Sequence, residues 1–302
     1  MLRLDLRSRF ATTITAAAAL LLVTTIARAA DGTVRVGGST TLLFAVANGA
    51  ATFMDRFKSW READPALPDV QPVIYVTGGG SGFGIKAAAN GTLDVGMSSR
   101  EINDKEKEML GVYRSDLVGK DALAFAVQVN NPLAKVKRNL TSEDVRRIFS
   151  GQYRTYRDID ASLPAQEIVL LVRDPGSGVA ELLQQEVLGK LQVSPNALQM
   201  PSQGALLKKL ESNPNAFSYV SAGLAAELER LVIFTYEGTE PSHANIVNGT
   251  YKLARPLQLI VKGYTPSPLA KRFVDYMLND GQAAVAAHGF VPLRDVGTAG
   301  KP

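Results

Sequence analysis

Hydrophobic positions along the chain alternate between two patterns: short apolar or β-branched runs, and longer stretches with apolar residues three and four apart. Residues 33–36 predict a first strand. Residues 42–60 predict an amphipathic helix, with Leu43, Val46, Ala47, Ala50, Phe53, Met54 and Phe57 on one stripe and Asp55, Arg56 and Lys58 off it. Residues 73–77 predict a strand, 82–90 a helix that Gly91 is placed to end, 94–98 a short strand and 103–110 a charged surface helix. The run 122–129 is almost continuously apolar, as expected of a strand buried on both faces. Thr141 with Asp144 three residues later marks the start of a helix ending near Phe149. Further on, 168–172, 217–220 and 257–261 predict strands, and 179–188 and 203–210 predict helices. Ser267-Pro268 supplies an N-cap and a first turn for a last helix running to Leu278. Strands alternating with helices predict an α/β fold with mostly parallel sheets. No internal repeat or low-complexity linker marks a boundary. The polar, Pro/Gly-spaced stretch 237–248 is the best candidate for a segment running between lobes.

Three of the predicted strand-to-helix turns are rich in Gly and Ser. They are Gly37-Gly38-Ser39-Thr40-Thr41, Gly78-Gly79-Gly80-Ser81-Gly82-Phe83-Gly84 and Arg173-Asp174-Pro175-Gly176-Ser177-Gly178. A helix N-terminus leaves backbone N–H groups unpaired and carries roughly half a positive charge. Small residues let an anion approach that backbone, and hydroxyls add donors. One such loop is explained by turn and cap chemistry alone. Three converging loops would suit a tetrahedral oxyanion. Arg100, after Gly96-Met97-Ser98-Ser99, and Arg173, directly after an apolar strand, add guanidinium groups suited to bidentate contact with it. Their bland alternatives are a surface pair with Glu101 and an interdomain salt bridge.

The N-terminus has the form of a secretion signal. Arg3, Arg7 and Arg9 precede an apolar stretch over 14–26, and Ala27-Arg28-Ala29 is a small-x-small cleavage site. The stretch is short of the about 20 residues a membrane span needs. Cleavage near Ala29 removes four Arg and one Asp, which lowers the formal net charge from +4 to +1. With basic residues scattered and no aromatic-basic cluster, nucleic acid is not an expected partner. The 302 residues are 46% hydrophobic, enough for one large domain or two smaller ones.

Catalytic chemistry is poorly supplied. The chain has no cysteine, which excludes disulfides, thiol catalysis, thiolate metal sites and a lipid-modified cysteine. Its two histidines, His243 and His288, lie in polar or terminal stretches. No Gly-x-Ser-x-Gly elbow is present, because Phe83 follows Ser81 where Gly is required. Neither a Gly-x-x-x-x-Gly-Lys loop nor a Gly-x-Gly-x-x-Gly turn occurs. No cofactor or metal is expected.

The order and spacing of several segments resemble the periplasmic phosphate-binding proteins of ABC transporters, over nearly all of the mature chain. The segments are Gly38-Ser39-Thr40-Thr41, Gly79-Gly80-Ser81-Gly82, Asp94-Val95-Gly96-Met97-Ser98-Ser99-Arg100-Glu101, Ile148-Phe149-Ser150-Gly151, Arg173 with Gly176-Ser177-Gly178, Phe217-Ser218-Tyr219-Val220, 251–257 and 289–293. The resemblance implies a two-lobed type II periplasmic binding protein. Each lobe would be a mostly parallel sheet flanked by helices, with the ligand in the cleft between them. After a signal peptide over 1–29, lobe one would be 30–122 with 256–302, and lobe two 123–255. By this likeness Ser39, Thr40 and Thr41 serve the anion at the first helix, and Ser81 serves it at the second. Ser177, Gly178 and Val179 form the third loop, with Arg173 as charge partner, and Ser98, Ser99 and Arg100 close the site from lobe one. Some positions depart from the family pattern. Phe83 stands for a small residue or Thr, Val179 for Thr, Ala180 for Arg and Tyr156 for Trp. Ser99 stands where the better-known receptors carry an Asp.

The resulting expectation is a monomeric periplasmic binding protein that delivers phosphate to an inner-membrane ABC permease and performs no reaction. The alternatives are capture of another oxyanion such as sulfate, presentation of ligand to a membrane sensor, and a hydrolase built on Ser177 or Ser81.

Overall fold

The computed structural model describes residues 31–263 and 267–294, so the leader and its cleavage site lie outside the described residues. The first strand, β1 (Thr33–Gly38), turns Val34 and Val36 inward. The helix after it, Leu43–Arg56, buries Ala45, Val46, Gly49, Ala50 and Phe53. It is shorter than the periodicity predicts. Phe57 takes an extended backbone, and Ser59 caps a separate turn of helix, Trp60–Ala63. The break lets Trp60 enter the core, where its indole N–H donates to the Gly32 carbonyl at 2.8 Å. There it packs beside Phe53, whose ring also meets Phe57, Phe273 and Tyr276 at centroid distances of 4.9, 5.9 and 5.1 Å.

Strands β2 (Val73–Thr77) and β3 (Val95–Ser98) flank β1, both parallel to it. Helix Ser81–Ala89 connects them. Helix Asp104–Leu110 begins with a capping box between Asn103 and Glu106. The next strand, β4 (Tyr113–Gln128), is 16 residues long and starts well before the apolar run that announced it. Its first half mixes exposed and half-buried positions up to Leu117, so only its second half carries the continuous apolar signal.

Short β5 (Asn139–Leu140) leads to helix Ser142–Phe149, which starts with the expected capping box between Thr141 and Asp144. Strands β6 (Val169–Arg173), β7 (Leu198–Met200) and β8 (Ala216–Ser221) are parallel neighbours, with β6 in the middle. Helix Gly178–Leu183 follows β6 and continues as a π-helical turn to Leu188. Helix Gln203–Ser212 precedes β8. Strand β9 (Leu231–Ile233) pairs with β4, and β10 (Thr235–Tyr236) pairs with β5. The last strand, β11 (Ala254–Lys262), runs antiparallel to both β3 and β4. Helices Pro268–Leu278 and Gln282–Ala287 close the described chain. Ser267 occupies the N-cap position there without a side-chain hydrogen bond.

Nine strands form one mixed sheet in the order β2-β1-β3-β11-β4-β8-β6-β7, with β9 paired to β4 off that path, and β5 and β10 form a separate two-stranded sheet. Each half holds three parallel strands, and the antiparallel β4 and β11 join the halves. Two large apolar cores cover these halves. One draws on residues from Val34 to Val118 and from Leu257 to Phe290; the other on Ala122 to Leu253 with Val291. The chain therefore passes between cores inside β4 and returns at the start of β11. The stretch 237–248 is not the connecting segment. It follows β10 and contains helix His243–Val247, whose Ile246 belongs to the second core. Polar turn residues mimic a linker in composition, but the passage is made by paired strands whose backbone bonds satisfy each other while crossing. Among the described residues no helix is long and apolar enough to cross a membrane.

Candidate functional site

All three Gly/Ser loops lie at C-terminal strand ends, and the fold brings them into contact. The second loop bridges the other two through its backbone. Gly80 N–H donates to the Gly38 carbonyl at 2.9 Å, and Gly82 N–H donates to the Gly176 carbonyl at 3.2 Å. The first two loops belong to the first core's half and the third to the other, so the site spans both. Gly80 sits at φ 89°, and a Cβ there would stand 2.8 Å from the Gly176 carbonyl oxygen. At Gly178 a Cβ would lie 2.6 Å from Ser81 Oγ and 2.9 Å from Ser99 Oγ. Only glycine permits these approaches.

The helices that begin at these loops, at Leu43, Ser81 and Gly178, each lack a side-chain hydrogen bond at the N-cap. No N-cap side chain therefore takes up the backbone donors of their first turns, although Gly82 N–H is used by the Gly176 carbonyl. Ser39, Thr40, Thr41, Ser81, Ser98, Ser99, Arg173 and Ser177 are all buried, as are Gly178 and Val179. Burial of so many polar side chains requires partners.

Those partners form a network. Thr40 Oγ1 accepts from Arg173 Nη1 at 2.8 Å and from the Gln203 N–H at 3.2 Å. Arg173 also donates to Asp174 at 2.7 Å and to the Met200 and Pro201 carbonyls, while its own N–H donates to Tyr219 Oη at 2.8 Å. Burial pushes the Tyr219 hydroxyl far above its ordinary range, so it stays neutral. Ser81 Oγ accepts the Ser99 N–H at 3.1 Å, and the two hydroxyls are 3.4 Å apart. Ser39 Oγ accepts weakly from Leu42 N–H at 3.4 Å. Among the described residues Ser98 Oγ is bonded to the backbone of Arg100 alone, so it shapes the turn.

Arg100 is placed differently from its expected bidentate contact with an anion. Its two terminal nitrogens each donate to one oxygen of Glu106 at 2.7 Å. Nη2 also reaches Glu181 at 3.1 Å, and Nε lies 2.6 Å from the same carboxylate. Glu181 is on helix Gly178–Leu183, so the pair ties the two cores together across the cleft. Burial raises the Glu181 pKa, and the Arg100 charge opposes that rise only in part.

Two functional candidates escaped the sequence reading. Arg255, 2% exposed on β11, donates from Nη1 to Ser99 Oγ at 3.0 Å and from Nη2 to Thr41 Oγ1 at 3.3 Å. Its Nη2 also donates to Asp121 on β4 at 2.6 Å. The available signal was a charge embedded in an apolar strand, at Ala254-Arg255-Pro256-Leu257 and at Lys120-Asp121-Ala122-Leu123. Gln203, fully buried, is the other: its backbone joins Thr40, and both side-chain polar atoms lack a partner among the described residues.

A site made of N–H and O–H donors with buried guanidinium groups can hold an anion. No group of three or more His, Cys, Asp and Glu among the described residues could hold a metal ion. Known proteins share this frame. A structure of a candidate phosphate ABC transporter substrate-binding protein from Clostridium perfringens, with bound phosphate, matches with a TM-score of 0.73 and 24% identity, covering 87% of this chain and 100% of that one. An ABC-type phosphate transport receptor from Vibrio cholerae matches with a TM-score of 0.65 and 22% identity, over 85% of this chain and 99% of that one. The phosphate-binding protein PstS of Pseudomonas aeruginosa is 27% identical over 272 residues, 81% of each chain. That of Staphylococcus epidermidis is 28% identical over 225 residues, 70% of this chain and 67% of its own length. The family model described as the PBP superfamily domain matches residues 23–281. With that match spanning both cores and all three loops, the chain belongs to the PBP superfamily of solute-binding proteins.

Proposed function

We propose that this protein captures inorganic phosphate between two lobes and hands it to an ABC permease, with no chemical step. The lobes are residues 30–122 with 256–302, and 123–255. The observation that carries the reading is the meeting of three uncapped loop–helix starts from both cores, lined by buried hydroxyls and Arg173. Relatives named for phosphate binding supply the ligand. Thr40, Thr41, Ser81, Ser99, Ser177, Gly178 and Val179 present hydroxyls and backbone N–H groups, and Arg173 supplies charge. Ser39 and Ser98 shape the loops. Arg100 closes the cleft through Glu181 and does not grip the anion. Hinge motion at β4 and β11 opens and closes the site. The chain is exported, cleaved near Ala29 and works as a monomer; the mass of the protein in a periplasmic extract tests that cleavage.

A second oxyanion, sulfate, is favoured by one observation. Ser99 brings no negative charge to accept the proton that phosphate still carries or to repel sulfate. Calorimetry of the mature protein against phosphate, arsenate and sulfate tests both readings. Phosphate binding supports the first, and binding of sulfate alone would replace it with the second. Heat from none of them overturns the anion site, and release of phosphate from an ester would reopen the hydrolase.

A further inference from the structure

We propose that Arg255 is a positioning residue of the anion site: it holds the Ser99 and Thr41 hydroxyls with their protons free for the ligand, and Asp121 anchors it. The inference rests on the anion-binding reading above and extends it to residues outside the three loops.

The Arg255 and Asp121 side chains are 1% and 0% exposed. A buried ion pair is a weak source of stability, because removing two charges from water offsets their attraction. Arg255 Nε adds to that cost, being buried without a hydrogen-bond partner among the described residues. The placement of the pair therefore calls for another explanation, and its remaining contacts supply one. Arg255 Nη1 donates to the Ser99 hydroxyl at 3.0 Å and to the Ser99 carbonyl at 3.3 Å. Nη2 donates to the Thr41 hydroxyl at 3.3 Å. Both residues belong to the loop cluster that also holds Ser81 and Gly178.

A hydroxyl has one proton to give and two lone pairs to accept with. A guanidinium stays protonated throughout the range in which proteins fold, so it always occupies a lone pair and never takes the proton. Two neighbouring hydroxyls also accept N–H donors. Ser81 Oγ accepts the Ser99 N–H, and Thr40 Oγ1 accepts from Arg173 and from Gln203 N–H. Four hydroxyls from two loops and the β3 end thus receive N–H donors; Ser81 and Ser99 share one proton between them at 3.4 Å, which leaves three protons to donate. Such a set suits a ligand that only accepts, which is the character of an oxyanion. Asp121 fixes the other side of the fork, and its second oxygen accepts the Gly223 N–H of the second core at 3.0 Å. Asp121 and Arg255 face each other on β4 and β11, where the chain passes between cores. The hydroxyl geometry is thereby coupled to the crossing strands. Lysine could not replace this arrangement, since a point charge lacks the planar fork that reaches Ser99, Thr41 and Asp121 together.

The test is calorimetry with phosphate and with sulfate on the mature wild type, Arg255→Lys, Ser99→Ala and the double variant, with thermal unfolding of each. Arg255→Lys is expected to unfold cooperatively and to bind phosphate about tenfold or more weakly. The double variant is expected to lose less than the product of the two single losses, because Arg255 acts partly through Ser99. A residue serving the fold alone would lower the unfolding temperature without this coupling. Wild-type affinity in Arg255→Lys, or losses that simply multiply, overturns the proposal. If Arg255→Lys does not fold, Asp121→Asn decides: several-fold weaker binding upholds the anchored guanidinium, and unchanged binding removes it. A wild type that binds neither anion overturns the anion site itself, a result distinct from wild-type binding retained in the variants.

Discussion

Arg173 joins the two halves of the site through one side chain. Its Nη1 crosses from the third loop to Thr40 on the first, and its other nitrogens are held by Asp174 and two carbonyls. A hydrogen bond to a charged group contributes about 1.5–3 kcal/mol. Arg173→Ala is therefore expected to weaken phosphate binding roughly ten- to a hundredfold, as read by calorimetry on a variant whose unfolding remains cooperative. Unchanged affinity would remove Arg173 from the site. Ser99 governs selectivity. A carboxylate there would accept the proton of phosphate and repel sulfate, while still receiving the Arg255 Nη1 donor. Ser99→Asp should raise the phosphate-to-sulfate affinity ratio, at some loss of absolute affinity. A wild type that already rejects sulfate would show that another acceptor reads the ligand proton.

The helices illustrate how local chemistry sets element boundaries. Helix Ser142–Phe149 starts where Thr141 Oγ1 accepts the Asp144 N–H at 3.1 Å and Asp144 accepts the Thr141 N–H at 2.9 Å. Burial would raise the Asp144 pKa, but the Thr141 bonds and Lys137 at 2.9 Å outweigh it and hold the pKa below the ordinary value. A depressed carboxyl pKa adds stability above its unfolded value and loses it as pH falls through the folded one. Asp144→Ala is expected to cost on the order of 1 kcal/mol near neutral pH. The gap in unfolding temperature between wild type and variant should narrow in acid. A gap independent of pH would mean that the carboxylate's charge does not contribute. Helix Leu43–Arg56 shows the limit of periodicity. The apolar stripe continues through Phe57, but Ser59 and the burial of Trp60 terminate the helix first.

At the scale of the whole molecule, the two cores are joined by β4 and β11 and tied again by Arg100 and Glu181 across the cleft. The tie is one-sided in its energetics. Glu106 already satisfies Arg100 in bidentate form, whereas burial raises the Glu181 pKa. A raised carboxyl pKa means that the ionised form opposes the folded arrangement above that pKa and that protonation relieves the strain as pH falls. Glu181→Gln should therefore leave the unfolding temperature near neutral pH unchanged or slightly higher. It should also flatten the stability profile on the mildly acidic side. Because the cross-cleft charge pair is gone, the ligand-free variant should show a larger radius of gyration in solution scattering. An unchanged radius would assign closure to the loop contacts at Gly80, Gly82 and Gly176.

Local rules account for what the sequence determined by itself. The strand–loop–helix units, the capping boxes at Asn103 and Thr141 and the three Gly/Ser loops follow from φ preferences, caps and periodicity within a few residues. The kinship to a two-lobed binding protein was legible in the order of those loops. Tertiary structure decided which charges meet. Arg173 reaches Thr40 across 133 positions of sequence, and Arg255 reaches Asp121 across 134. No local rule connects such distant side chains. Arg100 carried the same sequence signal as Arg173, yet packing set it against Glu106 and Glu181. Arg255 carried little signal of its own and came to rest on Ser99 and Thr41, because β11 enters the sheet antiparallel between β3 and β4. The polar stretch 237–248 had the composition of a linker but lies on the surface of the second core's half, anchored there by Ile246, since strand pairing between β4 and β11 already supplied the connection.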